Sequence, residues 1–331
     1  INLFDRLPLL QDLFDSRQGL ATANNEYFLR FWWEICFSKI CFFATSRNSA
    51  LNSRCKWFPY NKGGNFRKWY GNHTHTLNWE NDGAELKDFK PNSVIRNPNY
   101  YFYESVSWSD ITSSINAFRY YPKGFIFDST GHSAFNQDKN KLKELLLFCN
   151  SKLASFLIKI INPTMHLHIG YFQKLPAAFL NDSHTTILAD KAIEIAKEDW
   201  NAREISWDFY KLHLLDFRHK HQKINVNYKL ILDYWLQITK EMQQIEEKNN
   251  HVLIQAYNLE NELSPEVPLK EITLTCNPYY RYGDDKSEEE LEALLRSDTM
   301  KELISYAIGC MMGRYSLDEP GLIYAHSGNE G

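Results

Sequence analysis

Apolar positions recur at helical spacing in residues 25–37, where Phe28, Phe31, Trp32 and Ile35 follow an Asn24-Asn25 cap, and this predicts a helix. The period then changes. Residues 56–60, 75–79, 100–103, 118–121 and 125–127 are short aromatic or β-branched runs separated by Gly, Asn, Asp and Pro, which predict five short strands with long polar loops. Helical spacing returns over 141–161, in Leu142, Leu145, Leu146, Cys149, Leu153, Phe156, Leu157 and Ile160, and Asn162-Pro163 stops it. A strand is expected at 167–172. Beyond Pro176 the spacing predicts helices over 185–210 and 224–247, the second carrying Tyr228, Ile231, Leu232, Trp235, Ile238 and Met242 on one face. A Pro-containing connection spans 265–278, and a last helix runs over 287–312 to Gly313. The expected fold class is α+β: a β-rich unit flanked and closed by helices, followed by a long-helix spacer region. The expected divisions are a helical linker at 1–45, the β-rich domain at 46–180 and a helical spacer and C-terminal region at 181–331.

Composition fits a folded chain, with 44% apolar and 15% aromatic residues in 331. No apolar run reaches the roughly 18 to 20 residues of a membrane span, so no membrane segment is expected. Six cysteines without a C-x-x-C pair suit reduced thiols in a cytoplasm. The chain has no initiator Met and no signal-peptide pattern where it opens, and reads as an excised piece of something larger.

Charge changes the picture more. Residues 241–331 hold 18 acids against 7 bases, which leaves residues 1–240 net positive although the totals are 41 acids and 37 bases. From Ile35 to Trp79 there are seven cations (Lys39, Arg47, Arg54, Lys56, Lys62, Arg67 and Lys68), two histidines and no acid. Within this window, residues 56–71 interleave cations, aromatic rings and amides around Gly63-Gly64. Such a mixture suits nucleic acid: cations neutralise phosphates, amides and guanidinium groups bond base edges, rings pack on sugars or unstacked bases, and glycines allow close approach. The plainer reading is a half-buried aromatic hairpin with solvated Lys and Arg.

Other candidate chemistry is weaker. Asp82 with Glu85-Leu86-Lys87 has the residue types of a metal-dependent nuclease but too short a gap. His73-x-His75 and His166-x-His168 would each place two imidazoles on one face of a strand, yet neither has an acid or Cys at zinc spacing, and ordinary histidines are favoured. Gly309-x-x-x-Gly313 is best explained by close packing followed by a helix C-cap. Asp199 and Arg203 form an i,i+4 pair, and Trp200 and Trp207 lie seven apart, as packing requires. No Ser-His-Asp, Cys-His or paired-carboxylate set has a supporting spacing, so no catalytic residue is expected in this chain.

Several non-periodic motifs together resemble one family. Gln18-Gly19-Leu20-Ala21-Thr22, the run 56–71, Asn78-Trp79-Glu80-Asn81-Asp82-Gly83, Trp108-Ser109-Asp110, Gly124-Phe125-Ile126-Phe127-Asp128, Asn162-Pro163-Thr164, Asp199-Trp200-Asn201-Ala202-Arg203-Glu204 and the stretch from Leu303 through Asp318 are similar, in order, to the post-catalytic region of the PglX family of BREX phage-defence DNA methyltransferases. The resemblance implies an amino-terminal, S-adenosylmethionine-dependent adenine-N6 methyltransferase domain joined to a carboxy-terminal target-recognition region, of which this chain is the second part. The Asn-Pro-Pro-Tyr/Phe loop that holds a flipped adenine is not intact; Asn97-Pro98-Asn99-Tyr100 has Asn at its third place and reads as a turn leading into a strand. No cofactor is expected in this chain, with S-adenosylmethionine assigned to the parent protein. Double-stranded DNA is the expected partner and other BREX components are possible ones. Lys56, Lys62, Arg67, Lys68 and Arg119 are the candidates for phosphate or guanine contact, Asn61, Asn65 and Asn72 for base edges, and Gly63 and Gly64 for close approach. Loops 89–98 and 128–138 are candidates for reading different targets. The alternatives are a protein-interaction module that docks other defence components, and the specificity region of a combined restriction-modification enzyme.

Overall fold

A computed structural model of the protein describes residues 2–89, 91–111, 115–162, 164–178, 183–216, 223–319 and 321–324. Among these residues eight strands form two four-stranded sheets: β1 (Asp15–Arg17), β2 (Leu29–Phe31), β3 (Trp57–Asn61), β4 (His75–Asn78), β5 (Ser105–Ser109), β6 (Phe118–Tyr121), β7 (Ile126–Phe127) and β8 (Gly131–Phe135). The first sheet has the order β1-β8-β5-β6 and is antiparallel throughout. In the second, β2-β4-β3-β7, only β3 and β7 run parallel. The longer helices are α1 (Lys139–Cys149), α2 (Lys152–Ile161), α3 (Ser183–Asn201), α4 (Ile224–Ala256) and α5 (Glu288–Met311). The α+β class is as expected.

The predicted elements differ from these in instructive places. Residues 25–37 make only a four-residue helix, Asn25–Phe28, before β2, because Leu29, Arg30 and Phe31 pair with Leu77, Thr76 and His75. Sheet pairing outweighs a short helical period. Residues 100–103 are not a strand; Pro98–Tyr100 is a 3-10 turn behind Asn97, whose φ of 49° is left-handed. The strands β5 and β8 have no alternating signal because they are buried on both faces, with serines whose hydroxyls are satisfied: Ser107 donates to the His132 carbonyl at 2.7 Å. The helix expected over 141–161 is two helices. Asn150 donates to the Phe118 carbonyl and accepts from its N–H at 2.9 and 3.0 Å, extending the β6 ladder, while Ser151 caps α2 by accepting from Ala154 at 3.0 Å. Residues 167–172 hold a short helix, Ile169–Phe172, and no strand. Pro163, assigned a stop signal, lies outside the described residues, as does Lys90 in the 89–98 loop.

One large core joins Val106, Trp108, Phe118 and Ala134 of the first sheet to Leu10 and Phe14 and to the apolar faces of α1 through α4. A separate aromatic core of Phe58, Tyr60, Leu77, Trp79, Tyr101, Phe102 and Phe127 backs the second sheet. Asn61 at the end of β3 connects the two, donating to Ser107 of β5 at 2.6 Å. Gly131 permits that approach, since a Cβ there would stand 2.8 Å from the Asn61 carbonyl. At the C-terminal end, Gly309 packs on Tyr315, and Gly313 at φ 78° closes α5.

Candidate nucleic-acid interface

The basic run leaves the second sheet at Asn61, turns at Gly63-Gly64 and lies along the edge of the first sheet, where Trp69 accepts from Tyr120 at 2.8 Å and donates to Phe118 at 2.9 Å. This crossing puts much of its charge inside. Of the ten residues expected to meet DNA, Asn61, Arg67, Lys68 and Arg119 are buried, at 1%, 3%, 5% and 1% exposure. Their polar groups are committed to the fold. The Arg67 guanidinium donates to Asp199 at 2.7 Å, to Thr275 Oγ1 at 2.8 Å and to the Tyr70 carbonyl at 2.9 Å, and lies over the Trp200 ring. Asp199 also accepts from the backbone N–H groups of Thr275 and Cys276, at 2.7 and 2.9 Å. Burial by itself would raise the Asp199 carboxyl, but Arg67, Arg203 and the Thr275 N–H outweigh it and hold the group below its usual range.

Lys68 forms a buried ion pair with Glu246 of α4, whose other oxygen accepts from Trp69 Nε1 at 2.8 Å. Burial pushes Glu246 above the ordinary carboxylate range against the opposing pull of Lys68 and the indole N–H. Arg119 donates to the Arg67 carbonyl at 3.0 Å and to Ser109 Oγ at 3.2 Å. The sequence offered no signal for these pairings, because the acids lie at positions 199 and 246, far from the window that lacks them. Arg47 likewise pairs with Asp82, which also takes Lys87, while Glu85 accepts from the Tyr27 hydroxyl and from the Asn78 amide at 2.7 Å, so that the nuclease-like trio is held in structural contacts.

The other candidates divide into two places. Lys56 is exposed at the start of β3, about 17 Å of extended strand from the turn at its other end. At that turn Gly64 and Asn65 are exposed and Gly63 is buried. Lys62 is partly exposed and pairs with Asp128 at 2.8 Å; Asp128 also accepts from Tyr60 and from both the N–H and hydroxyl of Thr130. Asn72 donates to the Asn65 carbonyl at 2.9 Å, and Ser109 donates to the Gly64 carbonyl at 3.2 Å. Gly64 needs its freedom: its φ is 133°, and a Cβ would stand 2.8 Å from the Asn72 amide nitrogen. The result is a small exposed turn of amide and hydroxyl groups with one partly neutralised cation, braced from beneath by buried ion pairs.

The histidine pairs separate. His73 is 1% exposed among the rings of Tyr70, Tyr121, Phe125 and Trp207, and burial, reinforced by Arg119, Arg67 and Lys197, drives its pKa well below the ordinary value. His75 contacts Thr74 and Phe31. His166 and His168 instead meet a carboxylate, Asp110, from the end of β5. Among the described residues no helix is long and apolar enough to cross a membrane.

No family model matches the chain. It is 38% identical over 334 residues to the adenine-specific methyltransferase BrxX of Escherichia coli O9:H4 (strain HS), a match that takes in 100% of this chain and 26% of that protein. It is 37% identical over 326 residues to the adenine-specific methyltransferase PglX of Lacticaseibacillus casei (strain Zhang), with 96% of this chain and 26% of that protein covered. The chain thus spans about a quarter of the length of the curated relatives it matches. Over 96 to 100% of its length this chain is homologous to one part of the BrxX and PglX proteins, relatives named adenine-specific methyltransferases, as its motifs predict.

Proposed function

We propose that this chain is the DNA target-recognition region of an S-adenosylmethionine-dependent adenine-N6 DNA methyltransferase in a BREX-type phage-defence system. The observation that carries the reading is the match of 96 to 100% of the chain to adenine-specific methyltransferases, of each of which it covers 26%. In this reading the rest of the parent binds the cofactor and transfers the methyl group in the cytoplasm, and double-stranded DNA lies across the Lys62 to Asn65 turn. Asn65 and Asn72 then supply amides to base edges, Gly63 and Gly64 let the backbone approach, and Lys62 exchanges part of its contact with Asp128 for a phosphate. Lys56 reaches the DNA backbone further along. Arg67, Lys68 and Arg119 hold the turn rigid from within, and Asn61 ties the two sheets beneath it.

A second reading has its own observation. The last turns of α5 and the segment after it expose Ile304, Ile308, Met311, Met312 and Leu317 at 50 to 87%. Such an apolar face favours a docking role toward other components of the defence system or the rest of the parent. The deciding experiment incubates the purified chain with a random duplex library at about 50 and 200 mM salt, a range over which phosphate-dominated binding weakens steeply. Enrichment of one adenine-containing motif at the higher salt is the expected result. Retention without enrichment at either salt overturns sequence reading by this chain, and no retention favours docking.

A further inference from the structure

At the end of β5, away from the buried ion pairs, three histidines converge on one carboxylate. His166 Nδ1 lies 3.2 Å from Asp110 Oδ2, His168 Nδ1 lies 3.0 Å from Asp110 Oδ1, and His132 Nε2 of β8 lies 3.3 Å from the same Oδ1. One donor atom from each of Asp110, His166 and His168 falls within a 4.8 Å span.

The fold presets this arrangement. The Leu167 N–H donates to the Asp110 carbonyl and the Trp108 indole N–H to the Leu167 carbonyl, both at 2.8 Å, while Ile111 bridges to His166. The Asn162 amide donates to the His166 carbonyl at 3.0 Å, and the Asp110 N–H donates to the Thr130 carbonyl at 2.9 Å. Backbone bonds on both sides therefore fix where the side chains start.

Hydrogen bonding accounts for only part of the cluster. His132 is 2% exposed, and neither of its ring nitrogens makes a hydrogen bond; nor does Asp110 Oδ1, although two imidazole nitrogens stand within 3.3 Å of it. A buried imidazole without an aligned hydrogen bond is costly, and the two contacts to Asp110 Oδ1, at 3.0 and 3.3 Å, approach the spacing of ligands around a shared ion, while His166 Nδ1 is hydrogen-bonded to Asp110 Oδ2 at 3.2 Å. Ligand atoms about 2.0 to 2.2 Å from a tetrahedral centre stand roughly 3.3 to 3.6 Å apart.

We propose that Asp110, His166 and His168, with His132 as the fourth donor, form a site for one divalent transition-metal ion of the zinc type. Three imidazoles and one carboxylate match the donor preference of zinc or cobalt and not the all-oxygen sets that calcium and magnesium take. His166 and His168 keep 43% and 59% of their side chains exposed, so the ion enters from solvent. The Gly64 carbonyl accepts from Ser109, the residue before Asp110, so the ion would also stiffen the exposed turn.

The test uses the tag-free full chain, stripped with chelator and titrated with Co2+ and then Zn2+, read by visible absorption, calorimetry and thermal unfolding. One equivalent of Co2+ with intense tetrahedral bands, displaced by Zn2+, and a higher unfolding temperature are the expected results. His168→Ala, at an exposed position, and Asp110→Asn should each weaken binding more than tenfold, with circular dichroism verifying the fold of both variants. Binding unchanged in a folded His168→Ala chain, or the absence of stoichiometric binding by the wild-type chain, overturns the site and leaves a hydrogen-bonded cluster only.

Discussion

At the residue scale, the consequential finding concerns where cations spend their charge. Arg67 and Asp199 are both almost wholly inside, with side-chain exposures of 4% and 1%. Removing one partner strands the other. Asp199→Ala is expected to cost about 3 to 5 kcal/mol, because it leaves a buried guanidinium and two backbone N–H groups without their acceptor. Replacing the pair together, with Arg67→Met and Asp199→Leu, should recover part of that loss, and urea midpoints of the single and double variants measure the coupling. His73 makes a second prediction. Its folded-state pKa is depressed, so the unfolded chain binds the extra proton below the ordinary His value of about 6.5. Stability should therefore fall as pH drops below about 6.5 and be flat in this term above it. In His73→Phe, which keeps a ring in the aromatic cage, the slope of unfolding free energy between pH 5 and 6.5 should lessen by up to about 1.4 kcal/mol per pH unit.

At the scale of elements, the crossing segment between β3 and β4 separates a rigid base from an exposed tip. Arg67, Lys68 and Trp69 anchor it to α3, α4 and the 273–276 segment, whereas Gly64 and Asn65 touch little beyond Ser109 and Asn72. Asn65→Ala should leave unfolding free energy within about 0.5 kcal/mol of the parent, as expected for a surface site. Gly64→Ala should cost about 1 kcal/mol through its positive φ and the Asn72 clash. Both should abolish motif enrichment from a duplex library if the tip reads bases. Arg67→Ala, by contrast, should lose enrichment and thermal stability together. Denaturation curves collected beside the selections separate the two outcomes.

For the whole molecule, the same anchors bear on the division of the chain. The carboxylates that neutralise Arg67 and Lys68 lie outside residues 46–180, as do β1, Leu10, Phe14 and the apolar faces of α3 and α4 that complete the large core. A fragment of residues 46–180 is expected to expose that core and leave two cations uncompensated. It should be cleaved by a nonspecific protease much faster than the full chain, with far-ultraviolet dichroism showing reduced structure. A protected fragment with a cooperative transition would instead support an independent domain there.

Local sequence determined several things about this protein. Helical spacing in α4 and α5, the strands β3, β4 and β6, the stop at Gly313 and the motifs shared with the methyltransferases are all carried by residues adjacent in the chain, where period and turn chemistry act directly. Tertiary structure alone decided the rest. The acid-free basic window became a mostly neutralised one, because Asp82, Asp128, Asp199 and Glu246 arrive from other elements to meet Arg47, Lys62, Arg67 and Lys68. His166-x-His168 had no acid in its neighbourhood until the fold carried Asp110 across from position 110. The strands β5 and β8 stayed hidden because central strands buried on both faces show no alternation. Charge in a sequence window counts neighbours along the chain, whereas Coulomb attraction and burial act on neighbours in space, and only the packed molecule specifies those.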